Sequence, residues 1–188
     1  MSEAVSALNG AHFAGLVDLA EAGLKGMVTL RGDLSSPALA AAVKAATGAA
    51  VPAVRRIEAG ASGQAAWMSP DELLLITPYA RAGAVVEILR RELAGEFATA
   101  ADVSDARALF KIRGPQARDV LAKICPVDFT GFAVGELRRT RAAQVAAALW
   151  RESEDEWRLV CFRSVAQYVW DLLATVSAPG GEVGFYHR

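Results

Sequence analysis

The sequence predicts an α+β fold in which one β-α-β-β-α unit is used twice. Three observations predict it. Apolar residues alternate between period 2 and period 3.6 in a fixed order of segments, and that order restarts near residue 105. Two landmarks recur with it at nearly equal offsets: Arg31-Gly32 returns as Arg113-Gly114, and Asp71-Glu72 as Asp155-Glu156. A chain of 188 residues has room for two such half-domains.

The first unit opens with Met27-Val28-Thr29-Leu30-Arg31, a β-rich run stopped by Gly32-Asp33. Ser35-Ser36-Pro37 then offers a helix N-cap and a proline at the first helical position, where a missing N–H is harmless. Leu39, Ala42, Val43 and Ala46 share one helical face, and Gly48 ends the helix. Residues 50–63, rich in Gly, Ala and Pro, read as a loop around a short strand. Residues 64–68 and 72–77 are two β-type runs joined by Ser69-Pro70-Asp71, a tight-turn composition, so a hairpin is expected. After Pro78, Val85, Ile88, Leu89 and Leu93 line one face of a second helix, with Glu87, Arg90 and Arg91 on the other.

Residues 97–103 read as a bridging strand. In the next run Ala108, Phe110 and Ile112 alternate with Arg107, Leu109, Lys111 and Arg113, which assigns Leu109 to the outer face. Gly114-Pro115 opens a helix whose apolar stripe is Val120, Leu121 and Ile124. Residues 142–150 and 157–162 are read as two strands around the polar turn 152–155. The last helix buries Val165, Val169, Leu172, Leu173 and Val176, leaving Gln167 and Asp171 outward. Two ferredoxin-like halves on antiparallel sheets are the expected result. The domain organisation expected is an N-terminal segment 1–26, a first half 27–104, a second half 105–176 and a tail 177–188. Ala178-Pro179-Gly180-Gly181 gives that tail a flexible hinge composition.

Composition excludes several classes of function. With 53% hydrophobic and 22% charged residues, a packed interior is expected rather than disorder. Twenty Lys and Arg against 21 Asp and Glu leave a net charge of −1, which gives no electrostatic drive toward nucleic acid or an anionic membrane. Cys125 and Cys161 have no metal-ligand spacing, and His12 and His187 lie near opposite ends, so a zinc site is not expected. Both thiols read as core filler. Neither a secretory leader nor a spanning helix is indicated, and a cytoplasmic location is expected.

No dinucleotide fingerprint, Walker loop, zinc-protease helix or nucleophile elbow is present. Three weaker candidates remain. Gly60-Ala61-Ser62-Gly63 is a phosphate cradle only if a helix follows, and a hairpin strand follows instead. Asp102 and Asp105, flanking Val103-Ser104, are either paired carboxylates for acid-base work or Asx turns between strands. Arg138, Arg139 and Arg141 are either a site for a phosphate or carboxylate or a solvated strand face at an interface. Phe185 and Tyr186, aromatics of the kind enriched at interface hot spots, are candidate partner contacts together with those three arginines. No catalytic, cofactor-binding or metal-binding residue is assigned.

Asp102-Val103-Ser104, Ile112-Arg113-Gly114-Pro115-Gln116-Ala117-Arg118-Asp119-Val120-Leu121 and Pro126-Val127-Asp128 occur in this order. They resemble the folate-binding fold of the glycine-cleavage aminomethyltransferases. Trp67-Met68-Ser69-Pro70-Asp71-Glu72-Leu73-Leu74-Leu75, Phe162-Arg163-Ser164 and residues 168–173 narrow the resemblance to the gamma subunits of heterotetrameric sarcosine oxidase. That family implies a complex of alpha, beta, gamma and delta chains that oxidises sarcosine to glycine, releases hydrogen peroxide and passes a one-carbon unit to tetrahydrofolate. It implies that FAD, FMN, NAD, zinc and tetrahydrofolate belong to the partner chains and that the gamma chain is accessory. Aminomethyltransferases place an Asp-containing segment on the strand pair after the Gly-Pro helix; this sequence has Ala142-Ala143-Gln144-Val145-Ala146-Ala147 there, without a carboxylate. The alternative is a stand-alone folate-binding or one-carbon transfer protein, which needs such an acid or base.

Overall fold

The computed structural model describes residues 3–186, in two compact units: residues 24–104, and the residues up to Gly23 together with those from Asp105 onward. The stretch 1–26, read from sequence as a separate leading segment, holds two short strands, β1 (His12–Ala14) and β2 (Asp18–Glu21). Glu21 is buried, and its carboxylate accepts hydrogen bonds from Ser6 Oγ at 2.8 Å, Leu8 N at 3.0 Å and Gly10 N at 2.7 Å, fixing the approach to β1.

The unit 24–104 contains β3 (Lys25–Arg31), α1 (Pro37–Thr47), β4 (Ile57–Gly60), β5 (Gly63–Ser69), β6 (Glu72–Pro78), α2 (Ala82–Glu92) and β7 (Thr99–Asp102). Its sheet runs β4-β5-β6-β3-β7 with every neighbour antiparallel. Helix α1 is set by local chemistry: Ser36 accepts from Leu39 N, Pro37 is the first helical residue, and Gly48 closes the helix at φ 77°. Val28, Leu30, Leu73 and Leu75 face Leu39, Val43, Val85 and Leu89 of the two helices. On α2 Val86 is buried together with Val85 and Leu89, and Ile88 packs half-buried against the same core. Within the run 97–103, Thr99–Asp102 is an edge strand of this unit, paired with β3 alone, and not a bridge.

The other unit continues with β8 (Arg107–Arg113), α3 (Ala117–Ala122), β9 (Leu137–Ala142), β10 (Val145–Ser153), β11 (Glu156–Phe162) and α4 (Ala166–Val176). Its antiparallel sheet runs β1-β2-β8-β11-β10-β9. The strand beside β8 therefore comes from the N-terminal segment, whereas the one beside β3 follows α2. Phe110, Ile112, Leu149, Trp157 and Leu159 pack with Val120, Leu121, Val169 and Leu173. Leu109, assigned outward, is 4% exposed: the sheet face away from the helices is buried at Leu109, Ala148, Trp150 and Val160, so alternation no longer separates core from solvent.

The segment 142–150, read as one strand, is interrupted by a hairpin turn. Ala142 pairs with Val145, and Ala143 takes φ 51° between them. A left-handed alanine gives no turn signal in sequence, since such positions normally hold Gly or Asn. The β5–β6 hairpin is irregular between Trp67 and Ser69, and β10–β11 between Arg151 and Ser153. Mixed α and β structure on two sheets is thus what the chain forms.

Candidate functional site

The three arginines of the basic cluster all lie on β9, an edge strand, and the strand period divides them. Arg138 points to the helix-covered face, where it forms a close ion pair with Glu136 and stands 5.1 Å over the Phe132 ring; its Nη1 donates to Leu137 O at 3.0 Å. Arg139 and Arg141 point to the opposite face and are exposed. The cluster is therefore not a single fork for one anion; two of its members form an exposed basic edge.

The two tail aromatics are likewise separated. Asp119 of α3, 5% exposed, accepts from Phe185 N at 3.0 Å and Tyr186 N at 3.2 Å through the same Oδ1. Lys123 Nζ donates to Val176 O at 2.7 Å and Gly181 O at 2.5 Å. The tail, expected to be mobile, is tied at both of these points. Tyr186 turns inward, its ring meeting Phe129 edge-on at 6.1 Å, while Phe185 stays 65% exposed.

Tyr186 borders a cleft of about 260 Å³ with Gly114, Pro115, Arg118, Arg151, Glu154, Asp155 and Trp157. Its one deeply buried charge, Arg151, is engaged within the wall. Nη1 donates to Phe132 O at 3.0 Å, Nη2 to Glu154 O at 2.8 Å, and Nη2 meets Glu154 Oε2 at 2.5 Å. This guanidinium ties the loop before β9 to the β10–β11 turn.

The remaining candidates resolve into local structure. Asp102 accepts from Ser104 N at 2.9 Å and Ser104 Oγ at 2.5 Å, the Asx turn rather than a carboxylate pair, and Ser104 Oγ accepts from Met27 N at 2.9 Å. Gly60 and Gly63 are the ends of the β4–β5 hairpin, and Ser62 O accepts from Thr77 Oγ1 at 3.1 Å. His12 Nε2 lies 2.5 Å from Asp18 Oδ1 in the β1–β2 hairpin; His187 lies outside the described residues. Burial pushes the thiols of Cys125 and Cys161 up to about 12, so neither is a nucleophile at neutral pH. Among the described residues no group of three or more His, Cys, Asp or Glu is placed to hold a metal, and no helix is long and apolar enough to cross a membrane. Sequence reasoning missed Asp119, whose partners are 66 and 67 residues away, Arg151, whose bond to Phe132 O spans 19 residues, and Phe97, read as the start of a strand and found on a loop.

Comparisons with known proteins converge. A model of the sarcosine oxidase gamma subunit family matches residues 31–179. The sarcosine oxidase subunit gamma of Corynebacterium sp. strain U-96 is 33% identical over 164 residues, covering 80% of this chain and 79% of the relative. A chain in the structure of heterotetrameric sarcosine oxidase from Corynebacterium sp. U-96 in complex with pyrrole 2-carboxylate superposes with TM-score 0.77 at 30% identity, over 92% of this chain and 91% of that one. The glycine cleavage system aminomethyltransferase T of Bartonella henselae shares the fold at TM-score 0.62 and 14% identity, over 85% of this chain and 45% of that one.

Proposed function

We infer the role of this chain from the sarcosine oxidase gamma subunit family, to which it belongs, and propose that it is an accessory, non-catalytic gamma subunit of a heterotetrameric sarcosine oxidase. The observation that carries this reading is the near full-length match to a chain of the Corynebacterium heterotetramer, by sequence and by fold together. In this reading the partners are the alpha, beta and delta chains, which carry FAD, FMN, NAD and zinc, and the assembly is cytoplasmic. The complex oxidises sarcosine to glycine with release of hydrogen peroxide and one-carbon transfer to tetrahydrofolate.

The site chemistry supports an accessory role. Every buried charge described above is engaged in holding the chain together. The residues that would meet a folate in an aminomethyltransferase-like protein do not fit it, because the β9–β10 turn offers Ala143 and Gln144 and no acid to act on a reactive amine. The fold similarity to the aminomethyltransferase, at 14% identity, speaks to architecture alone. We read the two units as ferredoxin-like copies of one ancestral unit; the shared strand order β5-β6-β3-β7 and β10-β11-β8-β2 supports this.

Arg139, Arg141 and Phe185 are the proposed partner contacts, with Arg138 and Tyr186 holding their neighbours in place. The purified chain alone is expected to lose no flavin on dialysis because it carries none, and to release no peroxide from sarcosine. Calorimetry with tetrahydrofolate is expected to give no stoichiometric signal; micromolar binding would favour the stand-alone folate reading instead. Truncation after Val183 removes Phe185 and Tyr186, and should loosen the subunit in a dilution series of the complex by about thirtyfold, as loss of a hot spot does.

A further inference from the structure

The cleft bordered by Tyr186 carries two charges of each sign: Arg118 and Arg151, Glu154 and Asp155. Arg151 and Glu154 neutralise one another at 2.5 Å. Arg118, half-buried, and Asp155, exposed, remain. Neither side chain forms a hydrogen bond or an ion pair with any described residue, the other included. Two opposite charges thus line one cleft across a gap they do not close. That gap is built in. Gly114 N donates to Asp155 O at 2.8 Å, which stitches the segment leading into α3 to the β10–β11 turn, and Arg113 pairs with Glu156 at 3.0 Å alongside. Tyr186 supplies an apolar wall. Its N–H is held by Asp119 Oδ1 at 3.2 Å and its ring by Phe129, so the wall is in place before a ligand arrives.

Charge and size select the class of occupant. Two carboxylates oppose a phosphate or any other simple anion, and two guanidinium groups oppose a simple amine or a metal cation. A neutral molecule with separated charges meets neither penalty. The volume, about 260 Å³, is below the ~300–1,000 Å³ of pockets for drug-sized ligands, which suits an amino acid and not a dinucleotide or a folate. We propose that this cleft binds a small zwitterionic α-amino acid, with its carboxylate on the Arg118 guanidinium, its ammonium on the Asp155 carboxylate and its carbon body against the Tyr186 ring. Such a molecule carries both charged groups on one carbon, so it gives each unpaired side chain a charge-assisted hydrogen bond at once. The site goes beyond the subunit role, which assigns this chain no ligand, and stands without it.

The test titrates the full chain with glycine, sarcosine and L-valine, followed by NMR of the backbone amides. Acetate and methylammonium, the two halves of the zwitterion, are titrated at matched ionic strength. At least one of the amino acids is expected to give saturable shifts at Gly114, Asp155 and Tyr186, and each half-ligand to bind about tenfold more weakly or worse. Arg118→Gln and Asp155→Asn should each weaken binding about tenfold or more, Arg118→Lys should fall between, and Arg90→Gln, on α2 of the other unit, should match wild type. Thermal melts at the wild-type midpoint show that the losses are local; should Arg118→Gln melt early, Arg118→Lys and Asp155→Asn carry the decision. Absence of saturable binding by all three amino acids overturns the site. Acetate binding as tightly as the amino acids overturns it by making the cleft an anion site, and wild-type affinity in Arg118→Gln or Asp155→Asn overturns it by putting the ligand elsewhere. None of these outcomes bears on assembly, so the subunit reading holds or fails separately.

Discussion

Arg113 Nη2 reaches Glu156 Oε2 at 3.0 Å across β8 and β11, where the two residues stand directly opposite each other. Arg31 Nη2 meets Glu72 Oε2 at 2.8 Å across β3 and β6 in the same register. Beside each pair a glycine N–H closes the neighbouring turn: Gly32 N donates to Asp71 O at 3.0 Å, and Gly114 N to Asp155 O at 2.8 Å. The recurring dipeptides of the sequence are these cross-strand clasps.

The two members of a clasp should not be equal in weight. Arg113 is mostly solvated, so Arg113→Ala is expected to cost below about 1 kcal/mol. Glu156 is largely buried and also meets Arg158 Nη2 at 2.5 Å. Glu156→Ala leaves that second guanidinium only the longer pair with Glu152 at 3.8 Å and is expected to cost about 2 kcal/mol. Urea denaturation of both variants decides the order.

Glycine exchanges should have opposite signs at three positions. A Cβ on Gly60 would stand 2.1 Å from Ala49 N, a backbone contact that cannot yield cheaply, so Gly60→Ala is expected to destabilise by about 2 kcal/mol or more. A Cβ on Gly83 in α2 meets nothing within 4 Å, and Gly83→Ala should stabilise by about 0.5 kcal/mol. Ala143→Gly should stabilise by about 1 kcal/mol, relieving the left-handed alanine of the β9–β10 turn. Thermal melts of the three variants give the signs directly.

What was legible in the sequence was what is local. Ser36, Pro37 and Gly48 specify α1 within a dozen residues, and Ser69-Pro70-Asp71 marks its own turn. Leu109 was misplaced because both faces of its sheet are buried, which erases the period-2 contrast. Strands β1 and β2 were missed because each is short, and β2, on which β1 pairs, is defined by the edge of β8, far along the chain. In the tail the Gly-rich composition is visible in the sequence, while the carboxylate of Asp119 that accepts from the Phe185 and Tyr186 N–H groups is not.

That latch predicts the behaviour of the tail. Asp119→Ala removes the shared acceptor of two backbone N–H groups, so hydrogen exchange at Phe185 and Tyr186 should speed up, with a stability loss of about 2 kcal/mol. Asp119→Asn keeps a carbonyl oxygen in place and should retain most of the protection. Equal exchange in all three proteins would show that the latch does not hold the tail.

The thiols give a pH prediction. Desolvation raises Cys125 and Cys161 from an ordinary 9.0 to about 12 in the folded chain. Below pH 9 both states keep the thiols protonated and stability is unaffected. Between pH 9 and about 12 the unfolded chain ionises first, so stability should fall with pH across that window. Cys125→Ala/Cys161→Ala should flatten this fall, and in the native wild type a thiol reagent at neutral pH should modify neither residue until denaturant is added.

The subunit role requires assembly with the other oxidase chains. An affinity tag on this chain, co-expressed with the other oxidase chains, is predicted to recover all of them in fixed ratio, with flavin absorbance and sarcosine-dependent peroxide in the same fraction. Recovery of this chain alone, while the remaining chains elute together as an active, peroxide-producing oxidase, would contradict it.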